Sequence, residues 1–203
     1  MSVGNQVEKP RFFINLLQYQ YQIGNVAVAD RVWSDPLQQH PHIISLNPTR
    51  SFDMSAGGGW DWVDKTYFKV GFKYPISVPS GVTMFAAVLG HNLASEGTSA
   101  RILTYAGDGW IGGSSGDGNI STGGETCTSL VNAGTGTDGA GYWASEYDGW
   151  SLVTFTPSIT ESISSFHVTF IDSSYTAQSV SAKLGGFALG FVYEPEFHAD
   201  LAV

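Results

Sequence analysis

From Thr66 onward, short runs of β-branched and aromatic residues recur between turn residues, at positions 66–72, 82–89, 100–105, 151–155, 165–171 and 183–193. Runs of this length and spacing predict an all-β chain folded as an antiparallel sandwich or barrel. Two of them alternate cleanly. Phe166, Val168 and Phe170 fall on one face with His167 and Thr169 opposite, while Phe187, Leu189, Phe191 and Tyr193 oppose Ala188 and Gly190. The small second face of that last run predicts close approach by another backbone or side chain. The run Val82 to Leu89 is largely apolar and stops at His91-Asn92, which reads as a strand buried on both faces that ends in a tight turn.

The N-terminal part is less regular. Residues 1–10 are polar and read as an arm. From Arg11 to Gly24 the chain is apolar and then alternates, Tyr19, Tyr21 and Ile23 against Gln18, Gln20 and Gln22, which predicts a strand; Phe13, Leu16 and Leu17 would also suit one helical turn. Asp35-Pro36, His40-Pro41 and Asn47-Pro48 make residues 25–50 an irregular connection, long enough to imply contact with a neighbour. The organisation expected is one structural domain, with arm, first strand and connection in 1–50 and the sandwich in 51–203. Residues 106–141 hold twelve of the 25 glycines, which excludes a helix there and predicts long loops or short irregular strands.

Composition narrows the function classes. A net charge of −9, with seven of nine basic residues at or before Lys73, opposes phosphate neutralisation, so nucleic acid is not an expected partner. Charged residues are only 13% of the chain, and its surface must be built from Ser, Thr, Asn, Gln and Gly. Cys127 is the single cysteine, which excludes an intrachain disulfide and thiolate metal clusters. No run reaches transmembrane length, and the first ten residues contain no apolar core of a secretory signal.

Several motifs match catalytic or binding patterns in form. Gly107 to Gly112 fits G-x-G-x-x-G, and Gly112 to Gly116 fits G-x-S-x-G with Ser114 in the nucleophile position and His167 and His198 downstream. Both motifs need a helix to follow, and glycine-rich sequence follows instead, so both read as loops. Asp108, Asp117, Asn119 and Asp138 could supply oxygen ligands to a structural Ca²⁺, but Asx-turns explain them more simply. His91 and Asn92 close a strand, where capping of unpaired backbone groups is favoured over catalysis. His40 and His42 read as loop residues. Glu125, Glu146 and Glu161 include a conceivable glycosidase pair, decided by a separation that sequence does not give. Trp110, Tyr142, Trp143, Tyr147 and Trp150 surround the glycine-rich loops and are candidates for glycan stacking, a subunit interface or the core.

Ala86-Ala-Val-Leu-Gly-His-Asn-Leu-Ala-Ser resembles the His-Asn-Leu turn of structural proteins from tailed bacteriophages whose domains are similar to galactose-binding, discoidin-like jelly rolls. The segment from Leu184 to Pro195 resembles the last strand of such domains, and that from Pro10 to Tyr19 their N-terminal opening. The glycine-rich tract departs from that pattern. The resemblance implies a virion component of tail, fibre, neck or head decoration, made in the host cytoplasm and held by other copies of itself and other virion proteins. It implies no catalytic residue, no cofactor and no membrane. The alternative expectation is a carbohydrate-binding module or adhesin for a host surface glycan.

Overall fold

The computed structural model describes residues 11–27, 44, 52–53, 66–106, 119–120, 125–135, 141–171 and 183–195. In chain order the elements are β1 (Phe12–Asn15), α1 (Leu16–Gln22), β2 (Val26–Ala27), β3 (Phe52–Asp53), β4 (Thr66–Ile76), β5 (Met84–His91), β6 (Ser99–Ala106), β7 (Asn119–Ile120), β8 (Cys127–Val131), β9 (Gly134–Thr135), β10 (Trp143–Ala144), β11 (Gly149–Phe155), β12 (Ile163–Ile171), β13 (Lys183–Leu184) and β14 (Gly186–Tyr193). The arm 1–10, most of the 25–50 connection, Trp110, Ser114, His40, His42 and His198 lie outside the described residues, as do Asp108, Asp117 and Asp138.

Two antiparallel sheets pack into an all-β sandwich. One has the strand order β1-β14-β5-β11-β8; the other runs β2-β4-β12-β6-β10-β9, with β7 paired to β6. A third, two-stranded ladder joins β13 to β3. From β4 onward, leaving aside β7, β9 and β13, successive strands alternate between the two large sheets. Apart from those short strands, each step along the chain passes from one layer to the other. β1 and β2, from the first fifty residues, are hydrogen-bonded members of the two sheets.

The core lies between the layers and follows the period-two pattern of the strands. Met84, Ala86 and Val88 of β5, Val153 and Phe155 of β11, and Phe187 and Leu189 of β14 face Phe166, Val168 and Phe170 of β12 and Ile102 of β6. Burying each large side chain contributes roughly 1.5–3 kcal/mol, the main stabilising term in a chain without a disulfide. Phe85 and Ala87 belong to the opposite face of β5, where they meet Ala188, Leu89, Leu152 and Val192. That second cluster explains why the residues from Met84 to Val88 are all buried.

The alternation expected over residues 18–23 belongs to a helix, not a strand, and the ambiguous segment before it is the strand. Asn15 caps α1, its side chain accepting from the Gln18 N–H at 3.0 Å. Leu17 and Gln20, three positions apart, are the buried side of the helix. Gln20 can be buried because its Oε1 accepts from Asn25 Nδ2 at 2.7 Å, and Asn25 in turn exchanges bonds with the Tyr74 backbone on both sides of its amide. Alternating Gln and Tyr thus reflects buried amide pairing and exposed aromatics rather than a pleat.

The small face of β14 meets the close approach its composition predicts. A Cβ built on Gly190 would sit 2.6 Å from the Leu16 amide nitrogen and collide with the Ile14 carbonyl, both backbone atoms. Gly190→Ala is expected to destabilise the fold by about 3 kcal/mol, at the upper end of overpacking costs, measured by urea denaturation against wild type.

Candidate functional site

The polar elbow after β5 is built by a register slip. Gly149 opposes His91 while Trp150 opposes Leu89, so Gly90 is skipped in the ladder. Gly90 has φ +58°, and a Cβ there would meet Gly185 Cα at 3.1 Å, which together favour glycine. Such a bulge inverts the alternation beyond it. Val88 faces the core, and strict alternation would send His91 outward; the extra residue turns it inward. There its Nε2 lies 2.8 Å from Ser151 Oγ, on the face of β11 that also carries Val153 and Phe155.

A buried serine against a buried histidine invites a nucleophile reading, and Ser145 Oγ extends the chain at 2.7 Å from Ser151 Oγ. The hydrogen-bond directions argue otherwise. The Leu93 N–H donates to His91 Nδ1 at 3.3 Å, so in the neutral ring the hydrogen sits on Nε2, which donates to Ser151. Activation of a serine requires an imidazole that accepts the hydroxyl proton. Asp148, the nearby carboxylate, accepts from the Ser95 N–H at 3.0 Å while Nδ1 is taken by Leu93, so no acid orients the ring. With Ser151 only 1% exposed, no substrate reaches it.

His91 and Asn92 instead join four segments. The imidazole links β5 to β11, and Asn92 Oδ1 accepts from the Lys183 N–H at 2.6 Å, tying the elbow to β13. The Asn92 carbonyl accepts from Ser95 Oγ and from the Glu96 N–H, which closes the turn, and Leu93 is buried in the core. Burial lowers the His91 pKa below its usual value, with the Asp148 charge pulling the other way. The Asp148 carboxyl is itself held low, first by the Ser95 backbone N–H and then by the Ser95 side chain.

The turn opposite this elbow is held by Asn132, which the sequence reading did not single out. Its Nδ2 donates to the carbonyls of Tyr147 and Trp150, both at 2.8 Å, and its Oδ1 accepts from the N–H groups of Glu146 and Tyr147 at 2.8 and 3.1 Å. One amide thereby satisfies four backbone groups. Its φ of 49° lies in the left-handed region that asparagine tolerates better than most residues, and that tolerance is the signal present in Val131-Asn132-Ala133-Gly134.

The aromatic candidates divide. Trp143 is part of the core, and Tyr142 is buried with its ring 4.7 Å from the Arg101 guanidinium carbon, so neither presents a face for stacking on a sugar. Tyr147 and Trp150 are 50% and 44% exposed on the turn that Asn132 holds. His167, buried on β12, stacks on Tyr105 with centroids 4.1 Å apart and meets Ser165 Oγ at 3.2 Å.

The carboxylates do not form the retaining or inverting pair considered from sequence in the case of Glu125 and Glu146. Glu125 adjoins the Phe155 end of β11 and Glu146 precedes its Gly149 end. Seven strand residues at about 3.3 Å each separate those ends by roughly 20 Å, well beyond glycosidase spacing. Glu125 is buried and accepts from the Ser158 N–H at 3.0 Å and Ser158 Oγ at 3.2 Å, which fastens the β11–β12 connection; Glu161 is exposed on that connection. The Cys127 thiol is pushed up to about 12, first by burial and then by the Glu125 charge, which leaves it a poor nucleophile. Among the described residues, no group of three His, Cys, Asp or Glu side chains is placed to hold a metal ion. The backbone of Asn119 lies in β7.

No family model matches the chain, and neither the curated proteins nor the solved structures include a match. Fold and elbow define its class as an antiparallel β-sandwich whose polar clusters serve to hold turns together.

Two outcomes follow. Asn132→Ala should destabilise the fold by about 2 kcal/mol, since several backbone groups lose partners, with thermal unfolding as the readout. For His91, the unfolded chain keeps the ordinary value of 6.5 while the folded value is lower. Below pH 6.5 the unfolded state therefore binds the proton more readily, so the contribution is complete above that pH and is lost as the pH falls through the folded value. Urea midpoints from pH 8 to 5 should decline more steeply for wild type than for His91→Gln, and parallel declines would contradict the assignment.

Proposed function

We propose that this chain is a structural subunit that works through subunit contacts, of the kind that builds the virion of a tailed bacteriophage. The observation that carries the reading is the outer edge of the five-stranded sheet. There β1 ends the strand order with its apolar Phe12, Phe13 and Ile14 all exposed, an arrangement that a solitary protein usually blunts with charge or proline.

The phage assignment is supported by where its resembling segments fall. Pro10 to Tyr19, Ala86 to Ser95 and Leu184 to Pro195 are remote in sequence, yet they contribute β1, β5 and β14, three neighbours in one sheet. Alternation of successive strands between layers is in keeping with a jelly-roll path. The mechanism is assembly. Rigid, weakly charged sandwiches joined along edges and loops gain stability from each neighbour, without a reacting group.

A second reading is favoured by Tyr147 and Trp150, whose exposed rings sit on a turn made rigid by Asn132 and could stack on a host surface glycan.

The virion assignment is tested on density-purified particles from the source culture. Peptides of this chain should be found there at many copies per particle, with antibody decorating one fixed location in negative-stain images. A chain that is abundant in the unassembled fraction and missing from every particle would refute it.

A further inference from the structure

We infer that the outer edge of β1, unpaired among the described residues, docks a second copy of this chain, strand against antiparallel strand, about a two-fold axis that passes beside Phe13. The inference deepens the subunit reading and rests on it, by naming a partner and a register.

Backbone directions define the register. The Val192 N–H donates to the Thr83 carbonyl at 2.9 Å, so Val192 points its hydrogen-bonding groups toward β5 and away from β1. Its neighbours Phe191 and Tyr193 therefore point toward β1, where they oppose Ile14 and Phe12. It follows that Phe12 and Ile14 turn their N–H and C=O inward to β14, and that Phe13, opposite Val192, turns both groups to the open edge. Among the described residues β14 is the one strand paired with β1. An antiparallel second β1 set with Phe13 opposite Phe13 makes two mutual N–H to C=O bonds across the axis.

Side chains fit that register. Phe12 then faces Ile14 of the other copy, so apolar meets apolar, and Arg11 faces Asn15. Moving the axis by two residues to Arg11, a slide of four residues between the strands, would set Arg11 against Arg11 and oppose like charges, which disfavours it. Arg11 is already paired with Glu194 of its own copy, so the edge carries its charge neutralised at one end. Phe13 lies edge-on to Phe85 at 5.1 Å, and the two copies would extend this into one aromatic row across a joined ten-stranded sheet.

Area points the same way. Phe12, Ile14 and Tyr193 are 54%, 55% and 56% exposed, and the rings of Phe12 and Tyr193 touch at 6.3 Å between centroids. Phe13 is also exposed. Phe12, Ile14 and Tyr193 lie on one face of the sheet and Phe13 on the other, so edge-to-edge docking brings apolar surface together on both sides of the joined strands.

Sedimentation equilibrium on the full chain over a concentration series tests the proposal. Wild type should form a dimer. Phe12→Lys with Ile14→Lys sets positive charges face to face in this register and should raise the dissociation constant at least about tenfold, with the circular dichroism of the folded chain retained. Phe12→Lys with Ile14→Glu puts opposite charges at the same facing positions and should restore most of the lost affinity. A wild type that stays monomeric, a dimer indifferent to the double-lysine change, or a Lys and Glu pair as weak as the two lysines would each overturn the β1 register. None of these would remove the chain from purified particles, so the subunit reading fails or stands separately.

Discussion

Two apolar sheet faces can close on each other only if the polar backbone at every strand end finds a partner as water leaves. That desolvation constraint governs this molecule, because from β4 onward its longer strands alternate between the two layers. The solution recurs. Uncharged amide and imidazole side chains bind the turns: Asn25 at the end of α1, His91 and Asn92 after β5, Asn132 over the β10–β11 turn. Neutral groups suit the task, since they donate and accept without the larger penalty of burying charge. Glu125 is the exception, a buried carboxylate whose two oxygens are both occupied by Ser158.

The same constraint explains why the most enzyme-like constellation is a structural one. His91, Ser151 and Asp148 have the residue types of a hydrolytic triad, yet the chain of donors runs from Leu93 through the ring to Ser151, the reverse of what nucleophile activation needs. Two carboxylates that composition allowed as a catalytic pair are held at opposite ends of one strand. Among the described residues, the large apolar groups left exposed include the edge of β1 and the rings of Tyr147 and Trp150.

Much of the sandwich was legible. All six apolar runs correspond to β4, β5, β6, β11, β12 and the β13–β14 pair, because half-buried strands impose period two and doubly buried ones impose continuous apolarity. β8 was hidden in glycine-rich sequence, since Cys127-Thr-Ser-Leu-Val is an edge strand, largely exposed, and carries little apolar signal. α1 was misread for a different reason. A seven-residue helix offers barely two turns of periodicity, and Gln20 occupies a buried position normally filled by an apolar residue. The Asn15-x-x-Gln18 spacing was the local sign of a helix start.

Taken alone, the order of residues determined that this chain makes strands, that β5 is buried on both faces, that β12 has one apolar face, and that the small face of β14 admits a close neighbour; alternation, side-chain volume and glycine placement are local properties that act wherever the strand ends up. Tertiary structure alone decided which strands are neighbours, that the slip at Gly90 turns His91 inward, and that Asn132 should serve a turn fifteen residues away. Those outcomes depend on register and hydrogen-bond direction, which arise between segments rather than within them. A histidine at a strand end reads identically as catalyst or as cap until its neighbours' protons are placed.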